Sequence, residues 1–121
     1  MSQQPYTGPG ASVHIKVTVA PESVPKFFSL IKPAYDAATA EPECIFFEIY
    51  QNPAIPGEIK YVENWNQSVE WLRNVQFHKP YYKPYFEESE ALFIKPKKFE
   101  IWERMPGNDW VTVKNEMTDK A

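Results

Sequence analysis

The side chains in this chain that could take part in chemistry are mainly aromatic. Aromatic residues make up 16% of the 121 residues, and one group, joined by a histidine, comprises Tyr61, Trp65, Trp71, His78, Tyr81, Tyr82 and Tyr85. Rings stack against flat apolar ligands, and phenol hydroxyls both donate and accept hydrogen bonds. The group therefore indicates either a packed aromatic core or a pocket for a flat aromatic molecule, and composition alone does not choose between them.

His78 is the candidate general base, because an unperturbed imidazole is half-protonated near neutral pH. It lies between two proline-containing interruptions, with Tyr81 close behind it in the sequence. We expect both side chains near the mouth of a pocket, where either could assist proton removal. The alternative is that His78 is a solvated loop histidine, and without structural information we favour that reading.

Sequence motifs for metal, phosphate or nucleophile chemistry are absent. The chain has no glycine-rich phosphate loop, no Cys/His metal spacing and no nucleophile elbow. Its two histidines and one cysteine are scattered and do not form a ligand pattern. We therefore expect neither a metal nor a cofactor.

The elements that must position these residues are organised around a hairpin in residues 43–65. Residues 44–50 are apolar or aromatic except for Glu48, and residues 52–57 are turn formers. The strand that follows has one alternating set made of Ile59, Tyr61, Glu63 and Trp65. Tyr61 and Trp65 are four residues apart on this strand, so their side chains point the same way.

The flanking segments complete a β-α-β-β-α-β order. Residues 13–19 alternate as a first strand, 24–38 carry an apolar stripe at helical spacing, 69–75 and 85–93 form an interrupted second helix, and 99–104 form a fourth strand. Pro33 is expected to kink the first helix or shift its boundary. The right-handed crossover rule then predicts an α+β, ferredoxin-like fold: an antiparallel four-stranded sheet with both helices on one face.

The hairpin resembles the middle hairpin of the antibiotic biosynthesis monooxygenase (ABM) family. The resemblance depends on three features: the apolar-aromatic strand, the Pro/Gly loop, and the third strand ending in Glu63-Asn64-Trp65. The resemblance covers residues 12–105 and implies a dimeric α/β barrel, in which two sheets close on each other. Family members that oxidise anthrone-like polyketides without metal or flavin bind the substrate between sheet and helices.

What the resemblance implies for the site depends on the residues that match. In those members an Asn and a Trp on the third strand hold the substrate with a Tyr on the second helix. Here Trp65 matches the Trp, Tyr61 stands at the Asn position and Trp71 lies near the Tyr. We assign these three residues to substrate binding, together with Phe47 and Phe28.

Two other branches of the superfamily have site residues that can be compared with this sequence. Dimeric barrels that cyclise polyketides by proton abstraction carry two histidines, and His14 and His78 resemble that pair. His14, however, falls in the polar phase of the first strand and is expected to face away from the helices. The haem-degrading branch needs a first-strand Asn, where Ile15 stands here, so haem is not expected.

The second face of the predicted sheet needs a cover. The strands carry apolar residues on both phases, among them Phe46, Tyr50 and Trp102, which a monomer would expose. A homodimer is therefore expected. Residues 1–11 are predicted to be a flexible tail, and residues 106–121 an extension that could reach the partner, with a short extra strand near 110–113.

Charge and cysteine content exclude several classes of partner. The formal net charge is −3, from 13 basic and 16 acidic residues, which provides no footprint for nucleic acid or an anionic membrane. No run of about 20 apolar residues could span a bilayer. A start without signal-peptide character and a single cysteine favour a cytoplasmic protein.

Three functions remain open from the sequence. The leading hypothesis is a cofactor-independent monooxygenase-like enzyme acting on a flat aromatic or polyketide-type molecule such as a phenol, anthrone or quinol. The substrate's own carbanion would react with O₂, so the protein would only bind, orient and help deprotonate it. The alternatives are a non-oxidative proton-transfer enzyme, such as a cyclase or isomerase, and a protein that binds a hydrophobic metabolite.

Overall fold

The computed structural model describes residues 6–114, so the predicted tail and extension are described only in part. The helices and strands are β1 (Ala11–Thr18), α1 (Val24–Thr39), β2 (Cys44–Gln51), β3 (Glu58–Trp65), α2 (Val69–Asn74), α3 (Lys83–Glu90) and β4 (Lys98–Glu103). Short 3₁₀ turns occupy Pro21–Ser23, Gln76–His78 and Pro80–Tyr82. None of the helices within residues 6–114 is long and apolar enough to cross a membrane.

The four strands form one antiparallel sheet in the order β2-β3-β1-β4. This is the ferredoxin-like arrangement that the element order predicted, and the fold class is confirmed. Tyr61 on β3 lies opposite Ile15 on β1 and Ile49 on β2, and Ile15 in turn lies opposite Phe99 on β4. This register places the odd-numbered residues of β1, β3 and β4 on the face that the helices cover.

The core lies between that face and the helices. Val13, Ile15 and Val17 from the sheet are at most 5% exposed, and Phe27 and Ile31 from α1 are at most 3% exposed. Pro33 lies inside α1, yet the helix continues to Thr39 without a break. The predicted shift in the helix boundary therefore does not occur.

The second helix is interrupted more strongly than its pattern predicted. α2 ends at Asn74, two 3₁₀ turns follow, and α3 begins only at Lys83. Ser68 caps α2 by accepting a hydrogen bond from the Trp71 backbone N–H at 3.0 Å. Pro80 and Pro84 fall in the first turns of the last two segments, where a missing N–H costs nothing.

The loop after α3 is fixed against the sheet. The Ile94 backbone N–H donates to the Thr18 carbonyl at 2.8 Å, and Phe93 forms an isolated bridge with Val19. These contacts hold the chain that carries Lys97 beside the end of β1. Residues 110–113 belong to no strand of this chain's own sheet. That they extend the sheet of a partner stays a prediction.

The open face of the sheet differs from expectation. It does carry exposed Tyr50 and Trp102, but charged residues stand between the apolar ones. One row across the sheet consists of Lys60, Lys16 and Lys98; the next row consists of Glu48, Val62, His14 and Glu100. The expectation of an apolar second face is therefore only partly correct, because the even positions of β1 and all those of β4 except Trp102 are polar.

Candidate active site

A cavity of about 150 Å³ lies between the sheet and the helices. The sheet lines it with Ile15, Phe47, Tyr61, Glu63 and Phe99. The helical side lines it with Ile31, Ala34, Tyr35, Phe77, Tyr82, Tyr85 and Phe86, and Lys97 completes the lining. The alternating pattern of β3 explains the sheet side, because Tyr61 and Glu63 are two residues apart and point the same way.

Glu63 is the one carboxylate among these lining residues, and it is only 4% exposed. Its Oε1 accepts a hydrogen bond from Trp65 Nε1 at 3.1 Å, which adjacent positions on one face of a strand make possible. Burial disfavours the charged form and raises the pKa of Glu63 from 4.5 to about 7, while the bond from Trp65 lowers it in part. Glu63 therefore exchanges a proton in the neutral pH range.

Two tyrosine hydroxyls meet in the same cavity. Tyr61 Oη and Tyr85 Oη are 2.9 Å apart, and either could donate to the other. One hydrogen is used between them, and Ser89 also hydrogen-bonds with Tyr85. The second hydroxyl hydrogen can therefore be donated either to Ser89 or to a ligand. Burial raises the pKa of Tyr61 well above its usual range and that of Tyr85 to about 12, so both stay neutral phenols near pH 7.

The mouth of the cavity lies beside β4. Lys97 and Phe99 are exposed, and Lys97 Nζ stands 5.2 Å from the centre of the Phe86 ring. Phe77 and Phe99 meet edge to face with centroids 5.6 Å apart. The exposed part of the lining thus consists of one cation and of rings against which a flat molecule could pack.

Two of the five predicted binding residues line the cavity, namely Tyr61 and Phe47, whose rings stack with centroids 5.7 Å apart. Trp65 is fully buried and serves as the hydrogen-bond donor to Glu63. Trp71 packs against Trp65 and Phe28 against Phe27, outside the cavity lining. The aromatic group therefore divides into cavity-lining rings and core rings.

The two predicted catalytic residues stand away from the cavity. His78 is exposed at the end of a 3₁₀ turn in which Gln76 is buried and Phe77 lines the cavity. Successive side chains in such a turn point about 120° apart, so His78 turns outward when Phe77 turns inward. The geometry gives His78 no contact with the cavity lining.

Through Gln76, whose Nε2 also donates to the lining residue Tyr82 at 2.8 Å, a polar network connects Tyr81 to the cavity wall. Tyr81 itself does not line the cavity. Its hydroxyl donates to Glu41 Oε2 at 2.9 Å and accepts from Gln76 Nε2 at 2.6 Å, and Glu41 also pairs with Lys79. Burial raises the pKa of Tyr81 to about 12. These contacts tie the turns after α2 to the loop after α1, which is a structural task.

His14 faces the open side of the sheet, as its phase predicted. Its Nε2 lies 2.9 Å from Ser12 Oγ, and its ring lies 6.4 Å from that of Trp102. His14 and His78 therefore do not share a cavity. Among residues 6–114, no cluster of three or more His, Cys, Asp or Glu side chains is placed to hold a metal ion.

Sequence reasoning did not assign a role to Glu63, Tyr82 or Tyr85. A signal for Glu63 was present, because it is the one charge in a strand phase otherwise made of Ile59, Tyr61 and Trp65. A charged residue in the buried phase of a strand is more informative than another apolar residue there. Tyr82 and Tyr85 belonged to the aromatic group, but no local pattern separated them from their neighbours.

Comparisons with known proteins agree on one family. The model of the family described as antibiotic biosynthesis monooxygenase (ABM) matches residues 11–77. A relative from Pestalotiopsis microspora, named "Putative monooxygenase GME11364", is 43% identical over 102 residues, covering 84% of this chain and 85% of the relative.

Solved structures agree on the fold. A conserved protein from Methanosarcina mazei Go1 superposes with a TM-score of 0.70 at 21% identity, covering 83% of this chain and 97% of that one. A crystal structure described as an antibiotic biosynthesis monooxygenase gives a TM-score of 0.69 at 14% identity, covering 79% and 99%. At these identities the likeness concerns the fold alone.

Proposed function

Because the chain belongs to the antibiotic biosynthesis monooxygenase family, we propose that it is a cofactor-independent monooxygenase-like enzyme acting on a flat aromatic molecule. The substrate would be of the phenol, anthrone or quinol type. The observation that carries the proposal is the cavity beneath the helices, whose lining is aromatic or aliphatic apart from Glu63, Lys97 and the tyrosine hydroxyls. Such a lining suits a flat ring held by a few polar contacts.

The size of the cavity narrows the substrate. A protein cavity of about 150 Å³ accommodates a single benzene-sized ring. The reacting ring would therefore sit against Tyr61 and Tyr85, whose hydroxyls bond to each other at 2.9 Å. Any fused rings would extend through the mouth past Lys97 and Phe99. Phe47 and Tyr61, already stacked on each other, form one wall of that slot.

In the proposed reaction the substrate anion itself reacts with O₂, so the protein supplies only binding and proton transfer. Removal of a proton from the substrate leaves an electron pair on the ring system, and this anion reduces O₂. In an anthrone, the methylene carbon becomes a carbonyl: one oxygen atom enters the product and the other leaves as water with the two methylene hydrogens. The protein then binds the ring, excludes water and accepts a proton.

Oxygen uptake by the purified protein tests the proposal. We expect stimulated O₂ consumption with at least one of anthrone, 1,4-dihydroxybenzene or 1,3,5-trihydroxybenzene. The matched control is Ala34→Leu, which fills the cavity from α1, where Ala34 is 5% exposed. Uptake that is absent with the whole panel, or that persists unchanged in Ala34→Leu, contradicts the proposal.

A second candidate is a proton-transfer enzyme that uses no O₂, such as a cyclase or isomerase. The observation that favours it is Glu63, since a buried carboxylate that titrates near neutral pH serves any reaction that begins by deprotonation. Anaerobic turnover separates the two functions. Conversion that continues under nitrogen assigns this second function and removes the oxygenase label.

We also propose that a second copy of the chain covers the open sheet face. Lys16, Lys60 and Lys98 lie side by side on three strands, an arrangement that is unfavourable without counter-charges. Lys16 has a counter-charge in its own chain, Glu58 at 3.6 Å, whereas within the described residues no ion pair engages Lys60 or Lys98. The neighbouring row supplies Glu48 and Glu100. A two-fold axis running between the rows would set Lys98 of each copy against Glu100 of the other.

Light scattering tests the dimer. We expect a dimer at micromolar concentration and a loss of dimer in Lys98→Glu, which would face Glu100 of the other copy. Combining Lys98→Glu with Glu100→Lys should restore association, because the facing charges are opposite again. A wild type that remains a folded monomer overturns this part of the proposal, and the cavity argument is unaffected.

A further inference from the structure

Glu63 combines three properties that rarely occur together in a structural residue. It is 4% exposed, it lines the cavity, and within the described residues no cation pairs with it. Its hydrogen-bond donor in that part of the chain is Trp65, which bonds to only one of its two oxygens. The second oxygen is left for a molecule in the cavity.

Packing alone does not account for an acid at this position. A glutamine has the same shape and could accept the same bond from Trp65. An ionised carboxylate buried without a cation is costly, and proteins keep such groups mainly where chemistry uses them. The neighbouring wall of the cavity is formed by Tyr61 and Tyr85, whose hydroxyls bond to each other. These hydroxyls are neutral and do not supply the positive charge that an ionised carboxylate needs.

We infer that Glu63 is the general base of this site and takes a proton from an acidic, uncharged aromatic substrate held against Tyr61 and Tyr85. The inference rests on the proposed function for its substrate class. In the step, a substrate O–H or C–H bond breaks and its electron pair stays on the substrate. The proton goes to a Glu63 oxygen, which becomes a neutral carboxylic acid, so the net charge of the closed site is unchanged.

The hydroxyl hydrogen that Tyr61 and Tyr85 do not use between themselves can stabilise the anion that Glu63 produces. One hydrogen of Tyr61 or Tyr85 is not used between them and can donate to the oxygen on which negative charge develops. The exposed ammonium of Lys97 at the mouth adds a second favourable charge for that anion. Glu63 and the hydroxyl pair thus act on the same substrate as acceptor and donor.

Within the part of the chain that the structure describes, the other titratable groups facing Glu63 are a thiol, several phenols and one ammonium. From β2, burial and the nearby Glu63 charge raise the pKa of Cys44 to about 11. From the helical side, burial raises the pKa of Tyr82 far above its usual range and that of Tyr85 to about 12. Tyr61 shares the strand with a similarly raised pKa, α1 contributes the Tyr35 phenol, and Lys97 is a cation.

The negative charge of ionised Glu63 should also favour uncharged ligands over anionic ones. A neutral phenol can enter beside an ionised Glu63, whereas a benzoate would place a second carboxylate in the same cavity. Two negative charges inside one buried cavity repel each other strongly, because little solvent screens them. We therefore expect 1,3,5-trihydroxybenzene to bind above pH 7 and 3,5-dihydroxybenzoate to bind at least tenfold more weakly, with a smaller gap in Glu63→Gln.

An exchange experiment under nitrogen tests the base without using O₂. In buffered D₂O the ring hydrogens of 1,3,5-trihydroxybenzene exchange through its phenolate, and proton NMR follows their loss. We expect the wild type to accelerate exchange and Glu63→Gln to lose about a hundredfold or more of that acceleration. Glu58→Gln is the matched control, because Glu58 is on the same strand but on the open face, and it should retain the wild-type rate.

The pH profile separates catalysis from packing. We expect the wild-type exchange rate to rise with pH through a midpoint near the pKa of Glu63, about 7. Trp65→Phe removes a bond that favours the charged carboxylate, so the midpoint should move to higher pH. A structural role for Glu63 would not move the midpoint.

The outcomes distinguish this inference from the proposed function. Exchange that Glu63→Gln retains, or a wild type that leaves exchange at the buffer rate, overturns the inference. If exchange depends on Glu63 but no O₂ is consumed, the base stands and the oxygenase proposal fails. If O₂ is consumed equally by wild type and Glu63→Gln, the oxygenase proposal stands and Glu63 is not its base.

Discussion

Replacing Glu63 by Gln should change how the stability of the fold depends on pH. In the folded protein burial raises the pKa of Glu63 from 4.5 to about 7, so between these values the native state holds a proton that the unfolded state releases. A carboxyl group of this kind stabilises the fold below about pH 4.5, and that contribution is lost as pH rises through about 7. The amide in Glu63→Gln does not titrate, so its contribution to the stability of the fold does not change with pH.

The magnitude follows from the size of the shift. Each tenfold change in an ionisation constant corresponds to about 1.4 kcal/mol, so a rise from 4.5 to about 7 is worth about 3 kcal/mol. Because Glu63 is 4% exposed, solvent screening does not reduce this figure greatly. Between about pH 4 and pH 8 the wild type should therefore lose about 3 kcal/mol of unfolding free energy relative to Glu63→Gln.

Urea unfolding followed by tryptophan fluorescence measures this difference, with both proteins at one concentration. Comparing two pH values cancels any pH-independent cost of burying the amide. Glu58→Gln provides a control of opposite sign, because hydrogen bonding from Asn52 and the charge of Lys16 lower the pKa of Glu58. A gap between wild type and Glu63→Gln that stays constant from pH 4 to pH 8 would refute the account of Glu63.

Three further outcomes are expected. Tyr81→Phe removes hydroxyl contacts with Glu41 and Gln76 and should cost about 1–2 kcal/mol of stability in urea unfolding, with turnover of any ring substrate retained. His78→Ala removes an exposed side chain outside the cavity, so kcat, KM and their pH profile should all be unchanged; a tenfold loss of kcat would restore His78 as a catalytic residue. The Cys44 thiol, whose pKa burial raises from 9.0 to about 11, should react with DTNB at pH 8 about a hundredfold more slowly in the folded protein than in urea, and equal rates would contradict that burial.

The order and type of most elements could be predicted from the sequence, because local alternation and helical spacing record which side of each element is buried. The alternating set on β3 places Tyr61, Glu63 and Trp65 on one face, and the structure keeps them there. The ABM resemblance carried by Glu63-Asn64-Trp65 is likewise confirmed by the family comparison. These features depend on neighbours in the chain and need no knowledge of distant contacts.

Helix boundaries near the prolines could not be predicted reliably from the sequence. Pro33 lies inside α1 without ending it, whereas Pro80 and Pro84 fall in a segment that breaks into 3₁₀ turns. The same residue type gives both results because packing against the sheet supports α1 on either side of its missing hydrogen bond. Local propensity cannot reveal that support.

The division of the aromatic group into core and cavity was decided only by tertiary structure. Trp65 and Trp71 pack together, while Tyr85 comes from α3 to meet Tyr61, 24 residues away along the chain. The outward turn of His78 follows from the inward turn of Phe77. A pattern read along one element does not contain the position of another element.

The chemistry of Glu63 shows the same limit most clearly. Its place in the buried phase of β3 can be read from the sequence, but the pKa of a carboxyl group depends on every charge and water molecule around it. Only the assembled fold surrounds Glu63 with tyrosines and Phe47 and leaves Trp65 as its hydrogen-bond donor within the described chain. The sequence by itself determined which face this acid lies on, and the tertiary structure decided that it titrates near pH 7, because desolvation is a property of the packed environment.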